Sequence, residues 1–227
     1  MATRILITGF GAYGDGSNAS QSLLDALRQS DDLDQEIGAE LLFAELPVDT
    51  DAIEGILDAL IETSAPTCCV FFGQAPGRNR VTPERIATNL RDFSVPDAGG
   101  RQPRGEPVVP GGPAAYRATL PQLDRAIAAL NEAGIPAALS NTCGNHLCNQ
   151  TLYLALHMAA RRGLDLRAGF IHIPVTPEQV IAEEPLTLRH PHCPFMTTAM
   201  AVHAARSLLR HLASTPAESR EVGVPTA

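Results

Sequence analysis

Short apolar runs, each ending at a glycine or a turn, alternate with segments of helical periodicity along the first third of the chain. Apolar runs of this length are typical of strands that are buried on both faces. Strands are predicted on this basis at Arg4–Thr8, Ala39–Leu46 and Thr67–Phe72. Helices are predicted between them, at Ser20–Arg28 and Asp49–Ile61. The order β-α-β-α-β predicts an α/β fold, with a mostly parallel sheet covered by helices on both faces.

The second half of the chain continues this alternation after a long irregular stretch. Residues 92–113 are rich in proline and glycine, which predicts an ordered loop that crosses the surface. Helix, strand, helix, strand and helix are then predicted at Leu120–Ala133, Ile135–Leu139, Thr151–Ala160, Ala168–Pro174 and Phe195–Ala213. Residues 1–213 are expected to form a single domain, and the polar residues 214–227 a flexible tail.

Composition and charge narrow the class of protein. Of the 227 residues, 44% are hydrophobic and 19% are charged, which is ordinary for a globular enzyme. The formal net charge of −8, without a block of lysines and arginines, argues against nucleic acid or a membrane surface as partner. No signal-peptide pattern and no apolar run long enough to span a membrane is recognisable. A disulfide framework is not expected either, because the five cysteines are odd in number and scattered along the chain. A cytoplasmic protein with reduced thiols is therefore expected.

One polar turn between a predicted strand and a predicted helix carries a concentration of reactive side chains. The turn, Ser140–Gln150, contains Cys143, His146 and Cys148. At the start of a helix, free N–H groups and the positive end of the dipole favour an anion and can lower the pKa of a cysteine. On these grounds alone, either cysteine is a candidate nucleophile.

Two other chemistries must be weighed. Gly9–Gly14 matches the glycine pattern of a dinucleotide-binding loop, but turn and cap residues delay the helix that such a loop requires. Its aromatic residues, Phe10 and Tyr13, are interpreted as core or as walls of an apolar ligand pocket. A zinc site, with spacing unlike a standard zinc motif, could be drawn from Cys143, His146, Cys148, His190, His192 and Cys193. The stretch 190–193 is interpreted instead as surface loop.

A nucleophilic cysteine needs a base, and a histidine at a neighbouring strand end can act as one. His172 is the leading candidate, because it lies near the carboxyl end of a predicted strand, where catalytic groups of parallel sheets gather. A carboxylate would orient its imidazole as the third member of a triad, but the residue pattern alone does not select one. The alternative is a histidine that is satisfied within the core.

Several separated stretches of the chain form a more specific pattern. They are Thr8–Phe10 with Tyr13-Gly14, Gly73–Ala75 with Gly77-Arg78, Thr82–Ala87, Val95–Asp97, Gly112–Tyr116, Ser140–Thr142 with Gly144, Cys148-Asn149 and Gly169–Pro174. In this order, from about residue 4 to 213, they resemble the pyroglutamyl-peptidase I family of cysteine peptidases. The resemblance implies a single-domain α/β/α sandwich that removes an N-terminal pyroglutamyl (5-oxoprolyl) residue from peptides through a thioester, without metal or cofactor.

The resemblance also implies roles for individual residues. It assigns the nucleophile to Cys148, the general base to His172 and the third catalytic position to Glu84, which by pattern alone is only a suitable first-turn helix residue. Asp97 is a second acidic candidate, and Cys143 stands where the family has a small residue. The substrate-binding positions that it implies are Phe10, Tyr13, Asn18, Gln74, Val95, His146 and Leu147. The expected partners are a small peptide with a blocked N-terminus and further copies of the chain, as a dimer or tetramer.

Three positions depart from the family pattern around the pocket. His146 stands where the family has a phenylalanine that walls the lactam pocket, and Tyr13 stands where it has another phenylalanine. Ser94 replaces an arginine, and Arg91 is too displaced in the motif to be assumed a substitute. The alternatives to the main interpretation are therefore a related cysteine amidase with another acyl specificity, or a catalytically weak protein that binds a peptide or lactam.

Overall fold

The strands of the chain form one large sheet and one small one. A computed structural model describes residues 3–14, 16–190 and 192–215. The large sheet has the strand order β2-β1-β3-β7-β4, and the small sheet pairs β5 with β6. The strands are β1 Arg4–Phe10, β2 Glu40–Leu46, β3 Cys68–Gln74, β4 Thr82–Glu84, β5 Ile86–Thr88, β6 Ala115–Arg117 and β7 Arg167–Ile173. Parallel pairing joins β2, β1, β3 and β7, and β4 lies antiparallel to β7 at the edge.

Helices cover both faces of the large sheet. They are α1 Ala19–Arg28, α2 Leu33–Ile37, α3 Ile53–Ser64, α4 Leu123–Glu132, α5 Leu147–Arg162, α6 Pro177–Ile181, α7 Pro185–Leu188 and α8 Thr198–Ser214. One core packs α3 and α5 against strand residues such as Phe71 and Phe170, and the other packs α1, α4 and α8 against residues such as Val70 and Ile171. Successive strand residues thus enter opposite cores, which explains the continuous apolar runs. The predicted α/β fold with a mostly parallel sheet is confirmed. Within the described ranges, no helix is long and apolar enough to cross a membrane.

The helix that follows the Ser140–Gln150 turn begins earlier than predicted, at Leu147 instead of Thr151. Asn149 and Gln150 looked like turn residues, because such side chains often compete with the helix backbone. Here their side chains bind elsewhere: Asn149 bonds the backbone of Thr88 at 2.8 Å, and Gln150 bonds Thr50. With those groups satisfied by distant partners, the helix extends into the turn and takes up Cys148 in its first turn.

Two other predicted elements are wrong in position. The helix predicted from Asp49 begins at Ile53, because the side chain of Asp49 accepts the N–H groups of Asp51 and Ala52 at 2.9 and 3.1 Å and holds a turn before the helix. The segment 135–139, predicted as a strand, is not a continuous strand: Ala137 makes an isolated bridge to Val81, and Ser140 just after the segment makes another to Glu84. Pro136 within it has no N–H to donate.

The end of the chain also differs in part from expectation. The helix α8 runs through Ser214, one residue into the predicted tail that begins at 214. The rest of that tail from residue 216 onward lies outside the described residues.

Candidate active site

The Cys148 thiol and the His172 side chain both lie near Gly73, where the parallel strands β3 and β7 reach their carboxyl ends. Gly73 at the end of β3 is paired in register with His172 of β7, so their side-chain positions are on the same face. A Cβ atom placed on Gly73 would lie 3.1 Å from Cys148 Sγ and 2.7 Å from the Phe170 ring. The thiol therefore fills the space that a side chain at position 73 would occupy, beside His172.

Replacing Gly73 with alanine is expected to lower kcat/KM about 10²-fold, because the new methyl group clashes with the Phe170 ring at 2.7 Å and crowds the Cys148 thiol at 3.1 Å. Gly55→Ala is the matched control: a Cβ there meets no atom within 4 Å. That change is expected to leave turnover intact and to raise stability by roughly 0.5–1 kcal/mol, as alanine is favoured over glycine within a helix. Steady-state kinetics and thermal unfolding of both variants check this. Wild-type turnover in Gly73→Ala would contradict the packing described.

Glu84 lies on the edge strand β4, directly beside the end of β7. The antiparallel register pairs Glu84 with Phe170 and Thr82 with His172. Glu84 Oε1 is 2.7 Å from His172 Nδ1, and both residues are buried. An ionised carboxylate only accepts, so Nδ1 carries the hydrogen and Nε2 remains free to exchange a proton. The interpretation of Glu84 as a helix residue was wrong, since it belongs to a strand.

Arg78 is the charged partner that sequence reasoning did not identify. Its guanidinium bonds Glu84 Oε1 and Thr82 Oγ1, and its Nη2 donates to the carbonyl of Thr142 at 3.1 Å. A buried carboxylate is costly unless a cation and hydrogen bonds compensate it, and Arg78 supplies both to Glu84. It also ties the acid to the turn that precedes Cys148. The only sequence signal was its place in the Gly77-Arg78 piece of the family pattern.

The directions of the pKa shifts indicate that Cys148 and His172 are both neutral before substrate binds. Burial lowers the pKa of His172, and the hydrogen bond that its Nδ1 donates to Glu84 partly offsets that effect. Burial raises the pKa of Cys148 to about 12, with the charge of Glu84 adding to the rise and Arg78 opposing it. The expectation of a lowered cysteine pKa at the helix start is therefore wrong, because desolvation outweighs the favourable N–H groups. Cys143 is buried and its pKa is raised well above the usual value, again by burial, which makes its thiol inert.

The start of α5 presents unpaired backbone donors beside the thiol. Gln150 is the first residue of this helix whose N–H reaches a helical acceptor, the carbonyl of His146 at 3.1 Å. Among the hydrogen bonds of the described residues, the N–H groups of Leu147, Cys148 and Asn149 have no acceptor. Such groups can bind a developing oxyanion next to Sγ.

A cavity of about 310 Å³ opens next to Cys148. The structure brings all of the substrate-binding candidates to its wall: Phe10, Tyr13, Asn18, Gln74, Val95, His146 and Leu147. The wall also includes Ser94, the residue that replaces the family's arginine. It further includes Val48, Pro76, Leu186, Arg189 and His190, which the sequence did not single out for this role. No Asp or Glu lines it in the part of the chain that the structure describes.

Two of the polar wall residues differ in what they can offer a ligand. Both polar atoms of Asn18 are used internally: Oδ1 accepts from Ser20 N at 3.0 Å and caps α1, and Nδ2 donates to Gly11 O. Gln74 Oε1 already accepts from the N–H of Ala19 and from Gln179, each at 3.0 Å. Gln74 therefore has both amide N–H donors left for a ligand, whereas the Oδ1 and one N–H of Asn18 are already engaged within the protein.

His146 supplies an imidazole ring to the cavity wall at the position where the family pattern has a phenylalanine ring. Its imidazole stacks on Phe93, with ring centres 4.0 Å apart, and meets Tyr13 edge-on at 6.5 Å. Its Nε2 lies 3.3 Å from the carbonyl oxygen of Val95, which accepts its hydrogen. Burial lowers the pKa of His146, so the ring is neutral near pH 7. Tyr13 is held in turn by a hydrogen bond from its hydroxyl to the carbonyl of Pro96.

Asp97, the second acidic candidate, and Arg91, the nearby arginine, are each bonded to other protein groups. Asp97 is buried and accepts the N–H groups of Thr50 and Arg101, each at 2.8 Å, so it holds the loop together away from the imidazole. Arg91 pairs with Glu106 at 3.2 Å and does not line the cavity. Arg91 thus does not stand in for the arginine that Ser94 replaces.

The two groups of candidate zinc ligands do not form a metal cluster. Over residues 3–14, 16–190 and 192–215, no three His, Cys, Asp or Glu side chains lie together in a way that could hold a metal ion. The ring of His190 lies against Gly77, and Cys193 Sγ contacts the carbonyl of its neighbour Pro194. Loop 9–14 likewise does not open a helix, because α1 starts at Ala19 after the Asn18 cap.

Comparisons with known proteins agree with one another. The family model described as pyroglutamyl peptidase matches residues 3–211. A pyrrolidone-carboxylate peptidase from Streptomyces coelicolor is 41% identical over 217 residues, covering 95% of this chain and 94% of that protein. One from Vibrio vulnificus is 38% identical and covers 97% of each. Among solved structures, pyroglutamyl peptidase I from Bacillus amyloliquefaciens has a TM-score of 0.82 and 30% identity, covering 94% of this chain and 98% of that one. A mutant pyrrolidone carboxyl peptidase from Pyrococcus furiosus has a TM-score of 0.83 and 33% identity, covering 92% and 98%.

Proposed function

This chain belongs to the pyroglutamyl peptidase family of cysteine peptidases, and we propose that it hydrolyses the bond after an N-terminal pyroglutamyl residue with Cys148, His172 and Glu84. The observation that carries the proposal is the placement of Cys148 Sγ against Gly73, in register with His172, whose Nδ1 is bonded to Glu84. A thiol, a base and an orienting carboxylate beside a cavity are the components of acyl transfer.

The first half of the reaction forms a thioester. Because thiol and imidazole rest in their neutral forms, His172 Nε2 takes the thiol proton as Sγ attacks the carbonyl carbon of the pyroglutamyl group. The oxygen becomes an oxyanion that the N–H groups at the start of α5 can bind. His172 then gives its proton to the amine nitrogen, the carbon–nitrogen bond breaks, and the shortened peptide leaves.

The second half returns the enzyme to its starting state. His172 Nε2 takes a proton from water, whose oxygen attacks the thioester carbon. The carbon–sulfur bond breaks, free pyroglutamic acid departs, and the proton passes to Sγ. The carboxylate of Glu84 supports the imidazolium that forms in each half, and the guanidinium of Arg78 pairs with that carboxylate in its buried position.

The wall of the cavity suits a flat, uncharged ring. Phe10 and Tyr13 provide apolar area, and the amide N–H groups of Gln74 can donate to the lactam carbonyl. No carboxylate among the described wall residues could pair with the ammonium of a free N-terminus, so entry of that group would leave a buried charge uncompensated. Selectivity for the blocked terminus follows from this exclusion.

A panel of matched peptides tests the proposed activity. Peptides that differ only in their first residue, which is pyroglutamate, glutamine or proline, are incubated with the protein. The products are then separated and their masses are measured by mass spectrometry. Release of pyroglutamic acid from the first peptide alone is expected. Equal cleavage of the free-amine peptides, or cleavage of none, would contradict the proposal.

The alternative function, a cysteine amidase with another acyl specificity, is suggested mainly by His146. The variant His146→Phe distinguishes that alternative from the proposed pyroglutamyl peptidase activity. Since the imidazole stacks as an aromatic wall, His146→Phe is a ring-for-ring change that should alter kcat/KM for pyroglutamyl substrates by less than about tenfold. The ranking of acyl amides should stay the same. If His146→Phe gained pyroglutamyl turnover strongly and lost turnover of another acyl amide, the alternative would be favoured.

We also propose that residues 1–213 act as one catalytic domain in the cytoplasm and assemble into a homo-oligomer. The match of the family model to residues 3–211 supports the single domain. All five cysteines are free, which suits a reducing compartment. Exposed apolar side chains at Ile181, Leu188 and Phe195 support a subunit contact. Light scattering on the eluting protein gives the oligomer mass, and a monomer at all concentrations would contradict assembly.

A further inference from the structure

The cavity beside Cys148 has a floor and a rim of different character. Phe10, Val48 and Leu147 are buried and form the floor, which suits the lactam ring. Arg189 and His190 line the same cavity and are exposed, so they belong to its rim. A substrate whose acyl group fills the floor must pass its next residue across this rim.

Arg189 is a fixed positive charge at that rim. It follows directly after α7 (Pro185–Leu188). Within the part of the chain that the structure describes, Arg189 forms no ion pair, and the cavity wall contains no carboxylate. The carboxylate of Glu184, which precedes α7, accepts hydrogen bonds from Ser17 and Gln179. Among the described residues, the Arg189 guanidinium therefore has no salt-bridge partner.

The field of Arg189 reaches into the cavity. Burial raises the pKa of Tyr13, the positive charge of Arg189 partly offsets that rise, and Asp97 adds to it. Tyr13 is a wall residue, so the charge acts across the space where substrate binds. Asp97 is enclosed and bonded to the backbone of Thr50 and Arg101, and does not line that space.

We propose that Arg189 selects substrates in which the residue after the pyroglutamyl group carries a carboxylate. The inference rests on the proposed pyroglutamyl peptidase function and adds a preference on the leaving side. The carboxylate can be the side chain of an acidic residue, or the terminal carboxylate of a pyroglutamyl dipeptide. Arginine pairs well with either, through its planar set of N–H donors.

The test compares pyroglutamyl-glutamate amide, pyroglutamyl-glutamine amide, pyroglutamyl-glutamine with a free carboxylate and pyroglutamyl-lysine amide. At low salt, we expect kcat/KM to be about two- to fivefold higher for the carboxylate-bearing substrates than for pyroglutamyl-glutamine amide, as for exposed charge pairs. A higher kcat/KM for the glutamate amide identifies the side-chain carboxylate as the group that Arg189 binds. A higher kcat/KM for the free acid identifies the terminal carboxylate. The ratio should fall as salt is added.

Two arginine variants complete the test. Arg189→Gln should bring the carboxylate-to-amide ratio to about one. Arg125→Gln removes the same charge from α4, where Arg125 bonds Gln122 and does not line the cavity, and should retain the wild-type ratio. An unchanged ratio in Arg189→Gln, no preference in the wild type, or a preference for lysine would overturn the inference while leaving the peptidase function standing. Failure to cleave any pyroglutamyl amide would overturn both.

Discussion

Replacing Cys148 with alanine is expected to lower kcat/KM for a pyroglutamyl peptide by about 10⁴- to 10⁶-fold, because it removes the thiol that packs at Gly73, the register partner of His172. The alanine methyl group occupies less space than the thiol, so the cavity and the fold should be retained. Steady-state assays over a wide range of enzyme concentration, with thermal unfolding to verify folding, check the result.

Cys143→Ala and Cys193→Ala are the matched controls for this variant. Cys143 is buried with an inert thiol, and Cys193 lies in the loop before α8. Both variants should therefore keep turnover within a few-fold of wild type. Retained activity in Cys148→Ala, or an equal loss in Cys143→Ala, would refute the assignment of the nucleophile.

Replacing Glu84 with glutamine is expected to lower kcat by about 10³- to 10⁴-fold, because a neutral amide no longer favours the tautomer with hydrogen on Nδ1. The same change removes the charge that Arg78 faces in a buried site. Glu106→Gln is a suitable control, since Glu106 pairs with Arg91 outside the cavity wall. Wild-type kcat in a folded Glu84→Gln protein would show that this carboxylate does not orient the base.

The pH profile adds a second readout to the Glu84 prediction. His172 acts only when neutral, so activity is lost as pH falls through its pKa, which burial places below the usual 6.5. Glu84 raises that pKa, and in its absence the acid limb of kcat/KM should move to still lower pH. An acid limb above 6.5 in the wild type, or a shift to higher pH in Glu84→Gln, would contradict the electrostatic account.

The α/β alternation of the first third of the chain and the place of the reactive turn could be predicted, because both depend on local patterns. Continuous apolar runs indicate strands that are buried on both faces of the sheet. The turn Ser140–Gln150 lies between the apolar run at 135–139 and a segment with helical periodicity. His172 could be placed near a strand end for the same reason. The family resemblance then separated Cys148 from Cys143, which local pattern could not do.

Other parts of the site depend on contacts between distant residues. Glu84 reaches His172 only because β4 pairs with β7 across 88 positions of sequence, and no local period indicates that pairing. Arg78 similarly reaches Thr142 across 64 positions. The direction of the Cys148 pKa shift was missed because the helix start was visible in the sequence and the extent of burial was not. Arg189 enters the cavity wall from a loop without any motif.

The most direct test of the central claim is to trap the acyl group on Cys148. Pyroglutamyl p-nitrophenyl ester has a good leaving group, so acylation should outpace hydrolysis of the thioester. We predict a burst of nitrophenol equal to the enzyme concentration, and acid-quenched peptide mapping that finds one pyroglutamyl group on Cys148. Turnover without a burst or adduct, or a pyroglutamyl group on Cys143 or Cys193, would contradict the mechanism.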